Sequence, residues 1–180
     1  LLQAAQPAGA EPVTTILNNG PSANRVDIVV LGDGFTAAEI GSGSYRTAVQ
    51  TFLAGVFAQD PYREYLRAFN VHLVDVVSNQ SGSDHPSRGI FVDTALDSTY
   101  DCNYIQRLIC ASTAEVNAVI ARSPLAATAR DIVLVVVNDT EYGGSGGSIA
   151  VVSRHASGVE LILHEVGHSF GRLADEYTTQ

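Results

Sequence analysis

Residues 131–138 read DIVLVVVN, and this apolar run decides the fold class of the chain. Every residue between Asp131 and Asn138 is aliphatic and most are β-branched, which is typical of a strand that is covered on both faces. Strands of that kind lie in parallel or mixed sheets, with helices packed against the sheet. The run therefore predicts a central strand of an α/β protein.

The segments around this strand predict its neighbours. Short β-branched runs predict further strands, and apolar residues at helical spacing, for example Ala48, Phe52 and Val56, predict helices. The expected strands cover residues 25–31, 71–77 and 149–153. The expected helices cover residues 44–57, 61–69, 103–109 and 113–122, the last of these with Ser112 as N-cap, and a final helix begins near residue 158. The order β-α-β-α-β-β-α predicts an α/β sandwich with a mixed sheet.

We expect one domain preceded by an arm. Residues 1–24 are rich in Ala, Pro, Asn and Gly without periodicity, which favours a segment loosely attached to the surface. Residues 25–180 are long enough to bury the core of a single domain. The chain opens at Leu1 without the basic flank and apolar core of a signal peptide, so we interpret this start as mature or clipped.

The composition argues against several classes of partner. The formal net charge is −9 and no basic block interrupts the acidic excess, so nucleic acid is not an expected partner. No apolar run approaches the roughly 18 residues that cross a bilayer, so we expect no membrane segment. Calcium needs converging carboxylates, and a calcium site stays without support because the chain has no loop of regularly spaced aspartates.

The chain contains two cysteines, Cys102 and Cys110. Their spacing fits neither a C-x-x-C redox motif nor a cysteine-rich zinc knuckle. We expect a disulfide between them rather than two free thiols, because the other features of the chain indicate an oxidising compartment outside the cell.

The motif that carries chemistry lies in the final helix, where residues 164–168 read HEVGH and satisfy the pattern H-E-x-x-H. Histidines four residues apart share one helical face, so the imidazoles of His164 and His168 can reach one ion. Zinc suits imidazole ligands and keeps a position open for water, which Glu165 can deprotonate. We therefore predict a Zn²⁺ site with Glu165 as general base. The alternative is an ordinary amphipathic helix whose two histidines make structural contacts.

The residues after this helix include candidates for a third ligand. Gly171 matches the glycine of the metzincin pattern H-E-x-x-H-x-x-G-x-x-H, in which it ends the helix and turns the chain back to the metal. Ala174 stands where that pattern has its third histidine, and alanine cannot bind metal. We prefer Asp175 over Glu176 as third ligand, because Asp175 is the first carboxylate that the turn can present. Tyr177 is either a donor to the oxyanion of the tetrahedral intermediate or a packed aromatic.

Four stretches of the chain resemble the immunoglobulin A peptidase family of secreted bacterial zinc metallopeptidases. They are HEVGHSFGRLADEY at 164–177, VNDTEYGGSGG at 137–147, VVLGDGFT at 29–36 and FNVH at 69–72. The resemblance spans about residues 25–177. It implies a metzincin-like zincin fold, endopeptidase activity on protein or peptide substrates, and export from the cell. It does not imply that immunoglobulin A is the substrate.

Zincins of this kind also need a C-terminal subdomain below the cleft, often with a methionine turn beneath the metal. This chain ends three residues after Tyr177 and has no methionine. We therefore expect an N-terminal, upper subdomain that is a fragment, a proteolytically nicked half or one part of a longer precursor. The C-terminal fragment of the same precursor would then be a further partner.

Residues 143–147 read GGSGG and satisfy the nucleophile elbow G-x-S-x-G of serine hydrolases. An elbow needs a helix after the serine, and the residues that follow predict a strand, so we do not favour a serine hydrolase. The glycines fit better as a flexible rim beside an edge strand, with which an extended peptide can pair through its backbone. Gly146 and Gly147 are therefore our substrate-binding candidates.

Four polar residues outside these motifs receive ordinary interpretations. We expect His72 to face outward from its strand, His155 to be a loop histidine bonded to solvent rather than to substrate, and Asp33 to be a turn residue. His85 lies in a long polar loop that can flank the cleft, and its role stays open.

The predicted function is zinc-dependent hydrolysis of peptide bonds, in which metal-activated water, deprotonated by Glu165, attacks the substrate carbonyl. The rival from another class is a non-catalytic module, namely a zincin core that keeps its metal but serves as an interaction surface. The expected absence of a lower subdomain keeps this rival open.

Overall fold

The structure is a computed structural model that describes residues 11–175. Strands and helices alternate along much of the chain, and the described residues form one six-stranded mixed sheet. The strands are β1 (Val13–Leu17), β2 (Val26–Asp33), β3 (Phe69–Val74), β4 (Ile132–Val137), β5 (Gly144–Ser145) and β6 (Ala150–Ser153). The α-helices are α1 (Ala37–Gly41), α2 (Ser44–Val56), α3 (Thr113–Arg122) and α4 (Gly158–Ser169). The predicted α/β class with a mixed sheet is confirmed, and the architecture is consistent with a zincin-like fold.

The order of strands across the sheet is β1-β3-β2-β4-β6-β5. The four inner strands run parallel to one another, and β1 and β5 pair antiparallel at the two edges. The register of β4 with β6 begins at Leu134 opposite Ala150, and β5 pairs through Gly144 opposite Val152. The short edge strand β5 therefore lies beside the strand that leads into α4.

Strand β4 is covered on both faces, as its unbroken apolar run predicts. Ile132, Leu134 and Val136 pack in the same core cluster as residues of α2 and α4. Val135 and Val137, which point to the opposite face, pack in a second cluster with residues of α3. Alternate side chains of a strand point to opposite faces, so a strand that serves two cores must be apolar throughout.

The prediction of a loosely attached arm at residues 1–24 is wrong for Val13–Leu17. These residues form β1 and pair antiparallel with β3, with Val13 opposite Val74. The segment has no strong periodicity because an edge strand has a single partner, and its side chains are half-buried or exposed. Residues 1–10 lie outside the described part of the chain.

Two expected helices are absent from the described residues. Residues 61–69 form turns that end in a short 3₁₀ turn at Leu66–Ala68, and residues 103–109 contain no α-helix. Asn103 and Tyr104 have positive φ angles of 53° and 63°, which a right-handed helix cannot accommodate. Conversely, α1 was not predicted from the sequence, although Thr36 and Glu39 start it with a capping box.

Two polar residues prove to be buried, although His72 was expected to face outward and Asp33 to be a turn residue. His72 does not face outward: its Nε2 lies 3.0 Å from Asp27 Oδ1 and its Nδ1 lies 2.9 Å from Thr15 Oγ1. Asp33 is not a simple turn residue, because its fully buried carboxylate ends β2 and accepts a hydrogen bond of 2.8 Å from the Leu96 amide. Both side chains join segments that are distant in sequence.

Cys102 and Cys110 are joined by a disulfide, as predicted. The bond closes a segment that we call the disulfide loop, residues 102–110. Among the helices of the described residues, none combines the length and hydropathy needed to cross a bilayer.

Candidate metal centre

Helix α4 carries its histidines on the face opposite the core. Leu161, Ile162 and Val166 are buried against the sheet and α2, whereas His164 lies on the exposed side. Close packing with α2 depends on Gly158, where an added Cβ would lie 2.4 Å from the ring of Phe52. The buried apolar face of α4 and its close packing on α2 together fix the position of the two histidines relative to the sheet.

Three side chains converge beside the exposed face of α4. His164 Nε2 and His168 Nε2 are 3.1 Å apart, and Asp175 Oδ1 lies 3.4 Å from the first and 3.3 Å from the second. Among the described residues, these three form the group of His, Cys, Asp and Glu side chains that could hold one metal ion. The arrangement brings together the three metal ligands that the sequence predicted.

The spacing of these donors suits a tetrahedral ion. Zinc binds imidazole nitrogen and carboxylate oxygen at about 2.0–2.1 Å, which sets the edges of its tetrahedron at roughly 3.3–3.4 Å. The three measured separations lie within a few tenths of an ångström of that edge. The side chains of His164, His168 and Asp175 are 45%, 23% and 38% exposed, so the fourth corner of such a site faces solvent.

The chain reaches Asp175 through a tight turn after α4. The helix ends at Ser169, two residues earlier than the predicted end at Gly171, and the amide of Leu173 bonds the carbonyl of Gly167 at 3.0 Å. The left-handed residue of the turn is Arg172, with φ of 53°. Gly171 is needed for a different reason, because a Cβ there would lie 2.7 Å from the Gly167 carbonyl oxygen.

The same turn orients His168. Its Nδ1 lies 2.8 Å from the Leu173 carbonyl oxygen, which can only accept a hydrogen bond. Nδ1 must therefore carry the proton, and Nε2 presents its lone pair to the other donors. The Leu173 carbonyl also raises the pKa of His168, and the carboxylate of Asp175 adds to this effect.

Glu165 is buried under the glycine-rich edge of the sheet. Its side chain contacts the backbone of β5 so closely that a Cβ on Gly146 would lie 2.7 Å from Oε2, and one on Gly144 would lie 3.0 Å from Oε1. Burial raises the pKa of Glu165, although the neighbouring imidazoles of His164 and His168 oppose this rise. A carboxylate with a raised pKa is better suited to take and return a proton near neutral pH.

A cleft of about 950 Å³ opens in front of these groups. Its lining includes Glu160 and Leu161 of α4, the three converging side chains, Gly146 and Gly147, and residues of the disulfide loop. The volume lies at the upper end of the range of about 300–1,000 Å³ that is usual for ligand clefts. Gly146 and Gly147 both line this cleft, and their contact with substrate stays a prediction.

The disulfide loop is hydrogen-bonded to β5 from its outer side. The amide of Gly144 donates to the carbonyl of Arg107 at 3.4 Å, and the hydroxyl of Ser145 donates to the carbonyl of Ile109 at 2.5 Å. Leu108 forms an isolated parallel bridge with Gly144. The sequence analysis did not assign this loop to the cleft. The pattern contained no signal for the contact, because it depends on residues more than thirty positions apart.

Ser145, His155 and His85, which were also considered in the sequence, lie in different surroundings. Ser145 precedes strand β6 rather than a helix, in agreement with the argument against a nucleophile elbow. His155 accepts a hydrogen bond from the Ser157 amide and meets the ring of Tyr142 edge-on. His85 is buried, with its Nε2 2.8 Å from Asp139. Glu176 and Tyr177 lie outside the described residues.

These features define the class of protein. A mixed α/β sheet, a helix with two converging histidines and a buried glutamate beside an edge strand form an arrangement consistent with zincin-like peptidases. The family model described as IgA Peptidase M64 matches residues 14–180, and the chain belongs to this peptidase family. A comparison with curated proteins finds no match. Family membership makes the protein a peptidase, whose substrates are proteins or peptides.

Proposed function

We propose that this peptidase is a zinc-dependent endopeptidase of extracellular proteins, with His164, His168 and Asp175 as metal ligands and Glu165 as general base. The observation that carries the proposal is the triangle of donors with edges of 3.1–3.4 Å beside a buried glutamate. A bound zinc ion would supply a Lewis acid for the substrate carbonyl and lower the pKa of a coordinated water to about 7.

Glu165 performs the proton transfers in this proposal. Its carboxylate takes a proton from the attacking water and returns it to the nitrogen of the leaving amine. Burial against Gly144 and Gly146 removes water from the carboxylate and raises its pKa, so both transfers become easier near neutral pH. The absence of side chains at these two positions lets the backbone of residues 144–146 pack directly on the carboxylate.

Gly146 and Gly147 would align the substrate. They follow β5 and line the same cleft as His164, His168 and Asp175. An extended peptide that pairs with this backbone would present a carbonyl to the region between Glu165 and the ligands. Tyr177, as a proposed donor to the oxyanion, would complete the site from beyond the described residues.

The location outside the cell belongs to the same proposal. A disulfide joins Cys102 and Cys110, and such bonds persist mainly in oxidising compartments. Analysis of the culture medium and of washed cells of the source organism with an antibody against this chain would test the location.

The proposal is tested with Glu165→Gln, which keeps the size and hydrogen-bonding capacity of the side chain but removes the base. We expect wild-type protein to cleave casein, and 1,10-phenanthroline to abolish the cleavage. Glu165→Gln should bind one equivalent of zinc by metal analysis and lose activity by about 10²–10⁴-fold. Glu115→Gln on α3, remote from the cleft, is the matched control and should behave like wild type.

Two results would contradict the proposal. Near-normal turnover by Glu165→Gln would exclude it as the base, and zinc-loaded wild-type protein without activity on any protein substrate would favour the rival non-catalytic module.

A further inference from the structure

The disulfide loop is held in an unusual conformation. Asp101, Asn103 and Tyr104 all have positive φ angles, of 57°, 53° and 63°, although none of them is glycine. Such residues persist only where the surrounding structure imposes them, and they concentrate at functional sites. Here the disulfide closes the segment over 8 residues, and the amide of Tyr104 bonds the carbonyl of Asp101 at 2.9 Å.

The loop is also coupled to the catalytic glutamate through one short strand. Its outer contacts are with Gly144 and Ser145, and the next residue, Gly146, lies against the carboxylate of Glu165. The loop therefore stands at a fixed distance from the reacting groups. A rigid wall at a fixed distance can discriminate between substrate side chains, because a misplaced side chain cannot be accommodated by movement of the wall.

The loop presents an apolar and a cationic side chain to the cleft. Ile105 is 49% exposed and Arg107 is exposed, and both line the cleft with Leu108. Among the described residues that line this cleft, Arg107 is the one arginine. The chain contains no lysine. Within residues 11–175 no carboxylate forms an ion pair with Arg107.

The charged side chains that line the cleft belong to two different segments, one acidic and one basic. The carboxylates around the cleft, those of Glu160, Glu165 and Asp175, belong to α4 or to the segment after it. The cation belongs to the disulfide loop. A substrate side chain that faces the loop therefore meets a positive group, and a cation in that place would be repelled.

We propose that the disulfide loop selects the substrate: an extended peptide passes along the cleft with an acidic side chain paired to Arg107 and an apolar neighbour packed on Ile105. The proposal rests on the proposed function and names the substrate class of the same cleft. Arginine suits this task, because its planar guanidinium can bind a carboxylate through two parallel hydrogen bonds.

Binding can be measured separately from cleavage in the Glu165→Gln background. The probes are fluorescently labelled short peptides of Ala, Ser and Gly with one Leu, in which a single Glu or a single Lys is moved along the sequence. We expect one position at which Glu binds about three- to fivefold more tightly than Lys, as for a partly exposed ion pair. In the Arg107→Glu variant the preference at that position should reverse.

Arg67→Glu is the matched control, because it makes the same change of charge on an exposed residue. It precedes β3, which β2, β4 and β6 separate from β5 by roughly 19 Å at about 4.8 Å per strand. The control should leave the preference for Glu unchanged. A parallel profile of casein cleavage sites by mass spectrometry should show the same preference in wild type and the same reversal in Arg107→Glu.

The outcomes separate the two proposals. Equal binding of the Glu and Lys peptides at every position, or a preference that Arg107→Glu leaves unchanged, would overturn the role of the loop whether or not casein is cleaved. Activity that survives in Glu165→Gln would overturn the proposed function, while a charge preference that depends on Arg107 would still support the loop.

Discussion

Two clusters combine histidine and carboxylate side chains, one at β3 and one on α4. The ring nitrogens of their histidines have different kinds of partner. In the first, His72 on β3 bonds Asp27 through Nε2 and Thr15 through Nδ1. In the second, His164 and His168 direct Nε2 atoms at each other and at one oxygen of Asp175. Both nitrogens of His72 are satisfied by the protein, whereas the Nε2 atoms of α4 converge on a common point.

The difference shows how a structural histidine can be distinguished from a ligand. Two imidazole nitrogens at 3.1 Å and a carboxylate oxygen at a similar distance make a poor hydrogen-bond network, but they suit a cation that replaces a proton. Both ring nitrogens of His72 thus have a protein partner without any ion. The cluster on α4 has the donors and the spacing that could hold one metal ion.

The largest expected effect distinguishes substitution of His164 from substitution of His72. His164→Ala should abolish stoichiometric zinc binding and reduce casein cleavage at least about 10³-fold, because it leaves a single imidazole on the helix to bind the ion. His72→Ala should retain zinc and instead lower the free energy of unfolding by about 2–4 kcal/mol, since Asp27 loses a partner in a buried site. Metal analysis and urea unfolding measure the two effects, and the comparison fails if His72→Ala loses zinc.

The next largest effect is expected at Asp175, the third side chain of the cluster on α4. Asp175→Ala should weaken zinc binding by about 10–100-fold, because one charged ligand is removed from the triangle. Glu176→Ala should bind zinc as wild type does. Competition with a fluorescent chelator measures both affinities. The reverse ranking would transfer the ligand role to Glu176.

The carboxylate of the structural cluster predicts a dependence of stability on pH. Burial of Asp27 acts to raise its pKa, but hydrogen bonds from Asn70, His72 and Ser22 outweigh it, so the pKa is lowered from the ordinary value of 3.8. A lowered pKa in the folded protein contributes stability above the unfolded value, and this contribution is lost as the pH falls through the folded value. Acidification below about pH 4 should therefore remove it.

Asp27→Asn provides the measurement. In metal-free protein the variant should be less stable than wild type by about 1–2 kcal/mol at pH 7, and the difference should shrink on acidification below about pH 4. Asp60→Asn, an exposed carboxylate, is the control and should show little pH-dependent difference. A constant difference between Asp27→Asn and wild type at all pH values would show that Asp27 acts through packing alone.

The smallest expected effects lie in the turn that brings Asp175 to α4. Arg172→Gly should stabilise the protein by up to about 1 kcal/mol, because Arg172 has a φ of 53° that glycine adopts without strain. Gly171→Ala should weaken zinc binding, since its Cβ would displace the Gly167 carbonyl and with it the turn. Thermal unfolding and zinc titration test the pair. A stabilised Gly171→Ala with full zinc affinity would show that the turn tolerates displacement.

The site was predictable where its parts lie close together in the sequence. The spacing of His164 and His168 places them on one face of a helix whatever the rest of the chain does. Asp175 follows so soon that it had to lie near them, and the structure places it 3.3 Å from His168. The disulfide was predictable for a different reason, because the other features of the chain indicated an oxidising compartment, in which Cys102 and Cys110 would pair.

The sequence by itself determined the elements with a strong periodic pattern. The unbroken apolar run of β4 and the helical spacing in α2 and α4 specify local structure and the face that each element buries. Local patterns are sufficient there because the side chains that define the element are also those that drive its burial.

Only the tertiary structure decided which polar residues are buried together and what surrounds the metal cluster. Asp33 reaches the Leu96 amide over 63 positions, and Ser145 reaches the Ile109 carbonyl over 36. Contacts of this kind leave no periodic signal, because each consists of one donor and one acceptor whose meeting depends on how the whole sheet is ordered. For this reason the sequence could identify the histidines and the glutamate of α4, but not the disulfide loop that lines the same cleft.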